Sequence, residues 1–238
     1  MIHSAILLAA GRGKRQRPYT DTTPKPLLPV SGRPTLDYVL CAVQRVGIQR
    51  VCIVTHYLEE KILDYVGNGS NWGLNITCAH QNELHGSGDA LRSVPTGWIQ
   101  GEPFMVVATD YILEEDMLFD LLQAHRRFEA DITMSLKKCP LEELVSRSSV
   151  EVDLQWRVKR IVEKPTPEQV LSPYAASILF VFPPQLWEYL PRIRLSPRGE
   201  IELQSAVQMM IDDGFMAYGV LQSAPLEWNA NLHLASNS

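Results

Sequence analysis

Residues 3–9, apolar from Ala5 onward, read as a strand buried on both faces, and a segment rich in glycine and arginine follows at once. From Thr35 the period changes: Leu36, Val39, Leu40, Val43 and Val46 share one face of a helix, which Gly47 closes. The β-branched run 51–55 predicts a second strand, 58–66 a helix ended by Gly67, and 74–79 a third strand. Strands separated by helices predict parallel pairing, because a parallel neighbour is reached only through a crossover. A helix from Gly88 to just before Val94, a buried strand at 104–108, a helix at 118–128 and a strand at 132–136 continue the alternation. The first half therefore reads as a doubly wound α/β unit.

The pattern then changes. Residues 149–153 and 158–163 read as paired strands around a polar turn, and 177–182 as an apolar strand ended by Pro183 and Pro184. Residues 201–211 have helical spacing with Gly214 behind them, and 216–221 is a last strand. The hairpin is a candidate excursion that carries a second substrate.

Composition narrows the field. With 45% hydrophobic and 21% charged residues among 238, the chain can build a core and is not a disordered polymer. A net charge of −5 gives no overall attraction to nucleic acid or to an anionic membrane, so neither is an expected partner. Cys41, Cys52, Cys78 and Cys139 form no C-x-x-C pair, which points away from a zinc cluster or disulfide framework and toward the reducing cytoplasm. The apolar stretch 5–10 is too short for a signal segment, and no stretch approaches the roughly 20 apolar residues of a membrane span. A soluble cytoplasmic protein is the expectation.

Against this acidic background the segment after the first strand stands out. Arg12, Lys14, Arg15, Arg17, Lys25 and Arg33 are six cations set against one anion, Asp21. Gly11 and Gly13 allow close backbone approach to phosphate oxygens, Arg15 offers a fork of donors, and prolines on both sides of Lys25 stiffen its backbone. The segment lacks the full glycine pattern of a nicotinamide site and that of a P-loop.

The run from Leu8 to Pro18, the Pro24-Lys-Pro-Leu-Leu-Pro-Val30 segment and the helix after Gly32-Arg-Pro resemble a sugar-1-phosphate nucleotidylyltransferase of the glucose-1-phosphate thymidylyl- or uridylyltransferase kind. The resemblance implies a Rossmann-like, doubly wound mixed sheet with a small acceptor-binding hairpin subregion. It implies one nucleotidyltransferase domain over 1–238, with a nucleotide-binding half at 1–137 and an acceptor-binding half at 138–238. It places Leu8, Ala10, Gly11, Gly13, Arg15 and Lys25 around a nucleoside triphosphate, and Gln81 and Gly86 on the edge of uracil or thymine. Asp110 resembles the family's metal-binding aspartate, holding Mg²⁺, so that Arg15, Lys25 and Asp110 form the implied catalytic set. Glu163-Lys164-Pro165 resembles a motif whose glutamate holds sugar hydroxyls and whose lysine contacts the sugar phosphate, and Arg198-Gly-Glu200 resembles the segment that opens the helix below the acceptor pocket. The implied activity is transfer of a nucleoside monophosphate from UTP or dTTP, with CTP possible, to a sugar 1-phosphate, releasing pyrophosphate.

Departures from the family pattern fall in the acceptor half. Arg147-Ser148 stands where the family has Tyr-Gly, Ile178-Leu179-Phe180 replaces a Gly-Ile-Tyr pattern, and Ser205 replaces an aspartate. The late Trp-x-Asp motif that would supply a second metal carboxylate reads Trp228-Asn-Ala-Asn231, which makes Asn229 the candidate second ligand. These changes leave two other readings open: a non-catalytic homologue that binds nucleotide sugars and regulates a partner, and a cytidylyltransferase acting on a non-sugar phosphate or phosphonate.

Overall fold

The computed structural model describes residues 2–113, 116–223 and 226–227. In chain order the regular elements are β1 (Ser4–Leu8), β2 (Pro29–Val30), β3 (Arg33–Pro34), α1 (Thr35–Arg45), β4 (Arg50–Thr55), α2 (Glu59–Val66), β5 (Asn75–His80), α3 (Ser87–Arg92), β6 (Phe104–Ala108), β7 (Tyr111–Ile112) and α4 (Met117–Arg127). They continue with β8 (Ile132–Lys138), α5 (Leu141–Leu144), β9 (Ser148–Val152), β10 (Val158–Glu163), β11 (Tyr174–Phe182), α6 (Leu186–Tyr189), α7 (Leu203–Asp212), β12 (Ala217–Leu221) and β13 (Leu226–Glu227).

Seven strands form one sheet in the order β12-β8-β11-β6-β1-β4-β5. β1 pairs in parallel with β4 and β6, β4 with β5, and β12 with β8, while β11 runs antiparallel between β6 and β8. Side chains alternate across each strand, and both faces are covered. Ile6, Cys52, Phe104, Val106 and Phe180 pack with Leu91, Leu186 and Val207 on one side, whereas Leu7, Ile53, Met105, Val107 and Val181 pack with Val39, Ile62 and Leu121 on the other. A strand buried on both faces must be apolar at every position, which is why β1, β4 and β6 read as continuous runs.

β9 and β10 form a separate antiparallel hairpin whose end is tied to the sheet by the Gly219 amide donating to the Trp156 carbonyl at 2.9 Å. Gln208 on α7 accepts the Ile161 amide at 2.8 Å, so the hairpin is held from two directions. Of the boundaries that differ from the sequence pattern, two have a backbone cause. Leu58 adopts a left-handed conformation, φ 51°, so α2 begins at Glu59. Ile201 stays extended because its amide donates to the His85 carbonyl at 2.6 Å and its carbonyl accepts from Gly88 at 2.8 Å, so α7 begins at Leu203. Among the described residues no helix is long and apolar enough to cross a membrane.

Candidate active site

The parallel strands direct their carboxyl ends to one edge, where ligands bind in open α/β sheets. There a cavity of about 770 Å³ is bounded by the end of β1, the glycine loop, Lys25, Gln81, Gly86 and Asp110. The ends of β1 and β6 are stitched together by Thr109, whose hydroxyl donates to the Leu8 carbonyl at 2.8 Å. Leu8 and Ala10 both line the cavity.

No α-helix follows the glycine loop; short 3₁₀ turns at Lys14–Gln16, Tyr19–Asp21 and Lys25–Leu27 do. Gly13 takes φ 61°, and a Cβ there would lie 2.8 Å from the Thr20 methyl. Its carbonyl accepts from the Thr20 hydroxyl at 2.8 Å and from the Gln16 amide at 2.9 Å, which fixes the loop's curvature. Gly11 and Gly13 line the cavity, as do Arg12 and Lys14, while Arg15 is exposed on the turn and lies outside the lining. The positive excess legible in the sequence is partly neutralised by the fold: Arg17 meets Asp21 at 3.2 Å, Arg33 meets Asp37, and Lys25 pairs with Asp110.

The Lys25–Asp110 pair joins residues 85 positions apart, and both side chains are mostly withdrawn from solvent, at 14% and 23% exposure. An ammonium and a carboxylate thus meet at the mouth of the loop where phosphates would enter. Asp110 fits the requirement of Mg²⁺, which takes one or two carboxylates and completes its shell with water and substrate phosphates. Asn229 lies outside the described residues.

Gln81 is 2% exposed, and its Nε2 donates to the Asp89 carboxylate at 2.7 Å and to the Gly86 carbonyl at 3.4 Å. Both partners can only accept, so the amide nitrogen must face them, and the carbonyl oxygen is the group left for a ligand. The Gln81 backbone carbonyl accepts from Nδ1 of His56 at 2.7 Å, which puts the neutral ring's proton on Nδ1; His56 also lines the cavity. Gly86 has φ 97°, and a Cβ there would meet the Ile201 carbonyl at 2.9 Å, so the turn after Gln81 closes on the segment before α7 only with glycine. Neither Asp89 nor His56 was identifiable from the sequence. Asp89 lies eight residues from Gln81 across a turn, a spacing that carries no signal of its own.

Glu163 ends β10 and Lys164 follows it, both beyond the set of residues that line the cavity, and Glu200 connects the two regions. Lys164 Nζ lies 3.2 Å from Glu200 Oε2, and Glu200 lines the cavity. Arg198 pairs with the buried Glu202 carboxylate and donates to the Glu163 carbonyl at 3.4 Å. Burial first, and then the neighbouring carboxylates of Glu202 and Glu200, push the Glu163 carboxyl from 4.5 up to about 7 against the pull of Lys164 and Arg198. A carboxyl raised on folding holds a proton that the unfolded chain has released between those values. This contribution to stability therefore falls as pH rises through that window. Glu163→Gln should flatten it: urea midpoints at pH 5 and pH 8 should differ less in the variant than in the wild type, and an unchanged difference would refute the assignment.

The family model described as Nucleotidyl transferase matches residues 4–229, and the chain belongs to that family. The low-salt glycan biosynthesis nucleotidyltransferase Agl11 of Haloferax volcanii is 28% identical over 211 residues, covering 88% of this chain and 57% of its own length. The N-acetylmuramate alpha-1-phosphate uridylyltransferase of Neisseria meningitidis serogroup B is 40% identical over 114 residues, which cover 47% of this chain and 48% of that protein. The chain thus spans about half the length of these curated relatives. A crystal structure of UDP-glucose pyrophosphorylase with UDP-glucose superposes with a TM-score of 0.85 over 99% of this chain and 97% of the other, at 20% identity, and shares its fold.

Proposed function

We propose that this chain transfers a nucleoside monophosphate from UTP or dTTP to a sugar 1-phosphate and releases pyrophosphate, acting as a single domain with its nucleotide-binding half at 1–137 and its acceptor-binding half at 138–238. The observation that carries the reading is one cavity bounded by the glycine loop with Lys25 and Asp110 on one side and by an anchored Gln81 amide on the other. Family membership and the activities of the relatives support the same reaction class.

An oxygen of the acceptor's phosphate attacks the α-phosphorus, the bond from that phosphorus to the bridging oxygen breaks, and pyrophosphate departs with the electron pair. Such a transfer needs alignment and charge stabilisation more than covalent help from the protein. Lys25 brings a positive charge to the phosphates, and the loop amides of 11–13, with Arg12, Lys14 and the adjacent Arg15, hold the triphosphate. Asp110 would hold Mg²⁺, with Asn229 as the candidate second ligand, and the metal would supply charge neutralisation on the phosphates. Gln81 presents its carbonyl oxygen to the N3–H of uracil or thymine, and Gly86 shapes the turn beside it. Lys164 takes the acceptor phosphate and Glu163 its hydroxyls.

The cysteines Cys41, Cys52, Cys78 and Cys139 are free, and burial pushes the Cys52 and Cys78 thiols up to about 11, which suits a reducing compartment such as the cytoplasm. The reading is tested by following pyrophosphate release with each triphosphate against a set of sugar 1-phosphates and a phosphonate. Release that requires both UTP or dTTP and a sugar 1-phosphate supports it. Nucleotide binding without turnover on any acceptor would favour the regulatory homologue.

A further inference from the structure

The acceptor end of the site is neutralised by its own residues. Arg198 is engaged by the Glu202 carboxylate and by the Glu163 carbonyl, and Lys164 Nζ is 3.2 Å from Glu200. Lys164 is held there by its backbone. It is a non-glycine residue at φ 44°, with its amide donating to the Arg147 carbonyl and a buried proline following it. A side-chain-bearing residue in the left-handed region costs roughly 1 kcal/mol or more and persists where the surroundings impose it, so the direction in which this lysine leaves the chain is set by the fold. Glu200 is equally constrained, because Ile201 next to it is locked to His85 and Gly88 across the turn that carries Gln81. Glu200 alone among Glu163, Lys164, Arg198, Glu200 and Glu202 lines the cavity in which the nucleotide is placed.

We propose that Glu200 is the resting counter-ion of Lys164, displaced when the acceptor's phosphate arrives, so that its carboxylate weakens phosphate binding at this end of the site. The inference rests on the reading of Lys164 as the ligand of the acceptor phosphate. A phosphate that gains Lys164 breaks the 3.2 Å pair and sits beside the released Glu200 carboxylate, a second anion that water solvates at 39% exposure. Glu200 is thus a positioning residue that acts through Lys164.

The pair is about one third exposed on each side, 33% and 39%, so it belongs with surface ion pairs worth up to about 1 kcal/mol, which is about fivefold in an equilibrium constant. Removing the carboxylate also removes its repulsion of the incoming dianion. Inorganic phosphate binding, measured by calorimetry, should therefore tighten about five- to tenfold in Glu200→Gln. The change should appear in the acceptor-side constants and not in the KM for UTP. Glu200→Asp, which keeps the charge, should stay near wild type, and Lys164→Ala should abolish the gain when combined with Glu200→Gln. Unchanged phosphate affinity in Glu200→Gln, or a Glu200→Asp variant that behaves like it, would overturn the counter-ion role while leaving the transferase reading intact. Phosphate binding that is indifferent to Lys164→Ala in the wild type would overturn the inference through its premise, the placement of the acceptor at Lys164. Absence of turnover on every sugar 1-phosphate would count against the transferase reading, which the calorimetric comparison does not use.

Discussion

Lys25→Ala should lower the rate of pyrophosphate release by about 10²- to 10³-fold while the protein remains folded, the size of loss seen when one preorganised donor to a developing oxyanion is removed. The lysine emerges from a 3₁₀ turn and not from the packed layers, with its side chain 14% exposed at the cavity and its ammonium on Asp110. Removing it takes away the ammonium paired with Asp110, while Arg12 and Lys14 remain on the glycine-loop side of the cavity. Arg17 and Arg33 are held by Asp21 and Asp37, and Arg12 lies over the Tyr57 ring at 6.0 Å. Circular dichroism and urea unfolding serve as folding controls. A variant that folds and turns over within a few fold of wild type would remove Lys25 from the chemistry.

Discrimination against CTP should be the second large effect. The Gln81 nitrogen is committed to Asp89 and Gly86, so the amide presents an acceptor, which meets the N3–H of uracil or thymine but faces the lone pair of cytosine N3. A polar group left without its partner in a site that excludes water costs about 1–3 kcal/mol, or about 5- to 150-fold in kcat/KM. Asp89→Ala removes the group that fixes the amide's orientation, and the amide can then turn its nitrogen to cytosine. The ratio of kcat/KM for UTP over CTP should fall in this variant by about tenfold or more, through loss of selectivity and not through loss of turnover alone. A wild-type enzyme that uses CTP as readily as UTP, or an Asp89→Ala variant with an unchanged ratio, would show that Gln81 does not read the base in this way.

The layered fold was legible because buried parallel strands leave an unmistakable mark: β6 is apolar throughout, β1 and β4 are apolar apart from their end residues Ser4, Arg50 and Thr55, and α1 shows a 3.6-residue period between them. The direction of β11 was not legible, since a strand buried on both faces has the same composition whichever way it runs. The start of α7 was misplaced for a related reason. Ile201 fits the helical spacing, but its backbone groups are claimed by His85 and Gly88 from a segment more than 100 residues earlier in the chain. At the site, residue type and spacing drew attention to the glycine loop and Lys25, and the family resemblance to Gln81 and Asp110; the fold brings all of them to one cavity. What the sequence could not display is the pairing among them. The contacts of Lys25 with Asp110, Gln81 with Asp89 and Lys164 with Glu200 are made by folding, and it is these that give each group its orientation and partner. Arg15 illustrates the converse: Arg12, Lys14 and Arg15 are all exposed and all suit phosphate, yet Arg12 and Lys14 line the cavity and Arg15 stands beside it.

Attack at the α-phosphorus is the central claim, and the fate of labelled phosphate tests it most directly. With Mg²⁺, a sugar 1-phosphate and UTP labelled at the α-position, the label should appear in a nucleotide sugar, and with UTP labelled at the γ-position it should leave as pyrophosphate. Label from the γ-position on the sugar, or release of γ-label as inorganic phosphate with no α-label joined to any acceptor, would contradict the account.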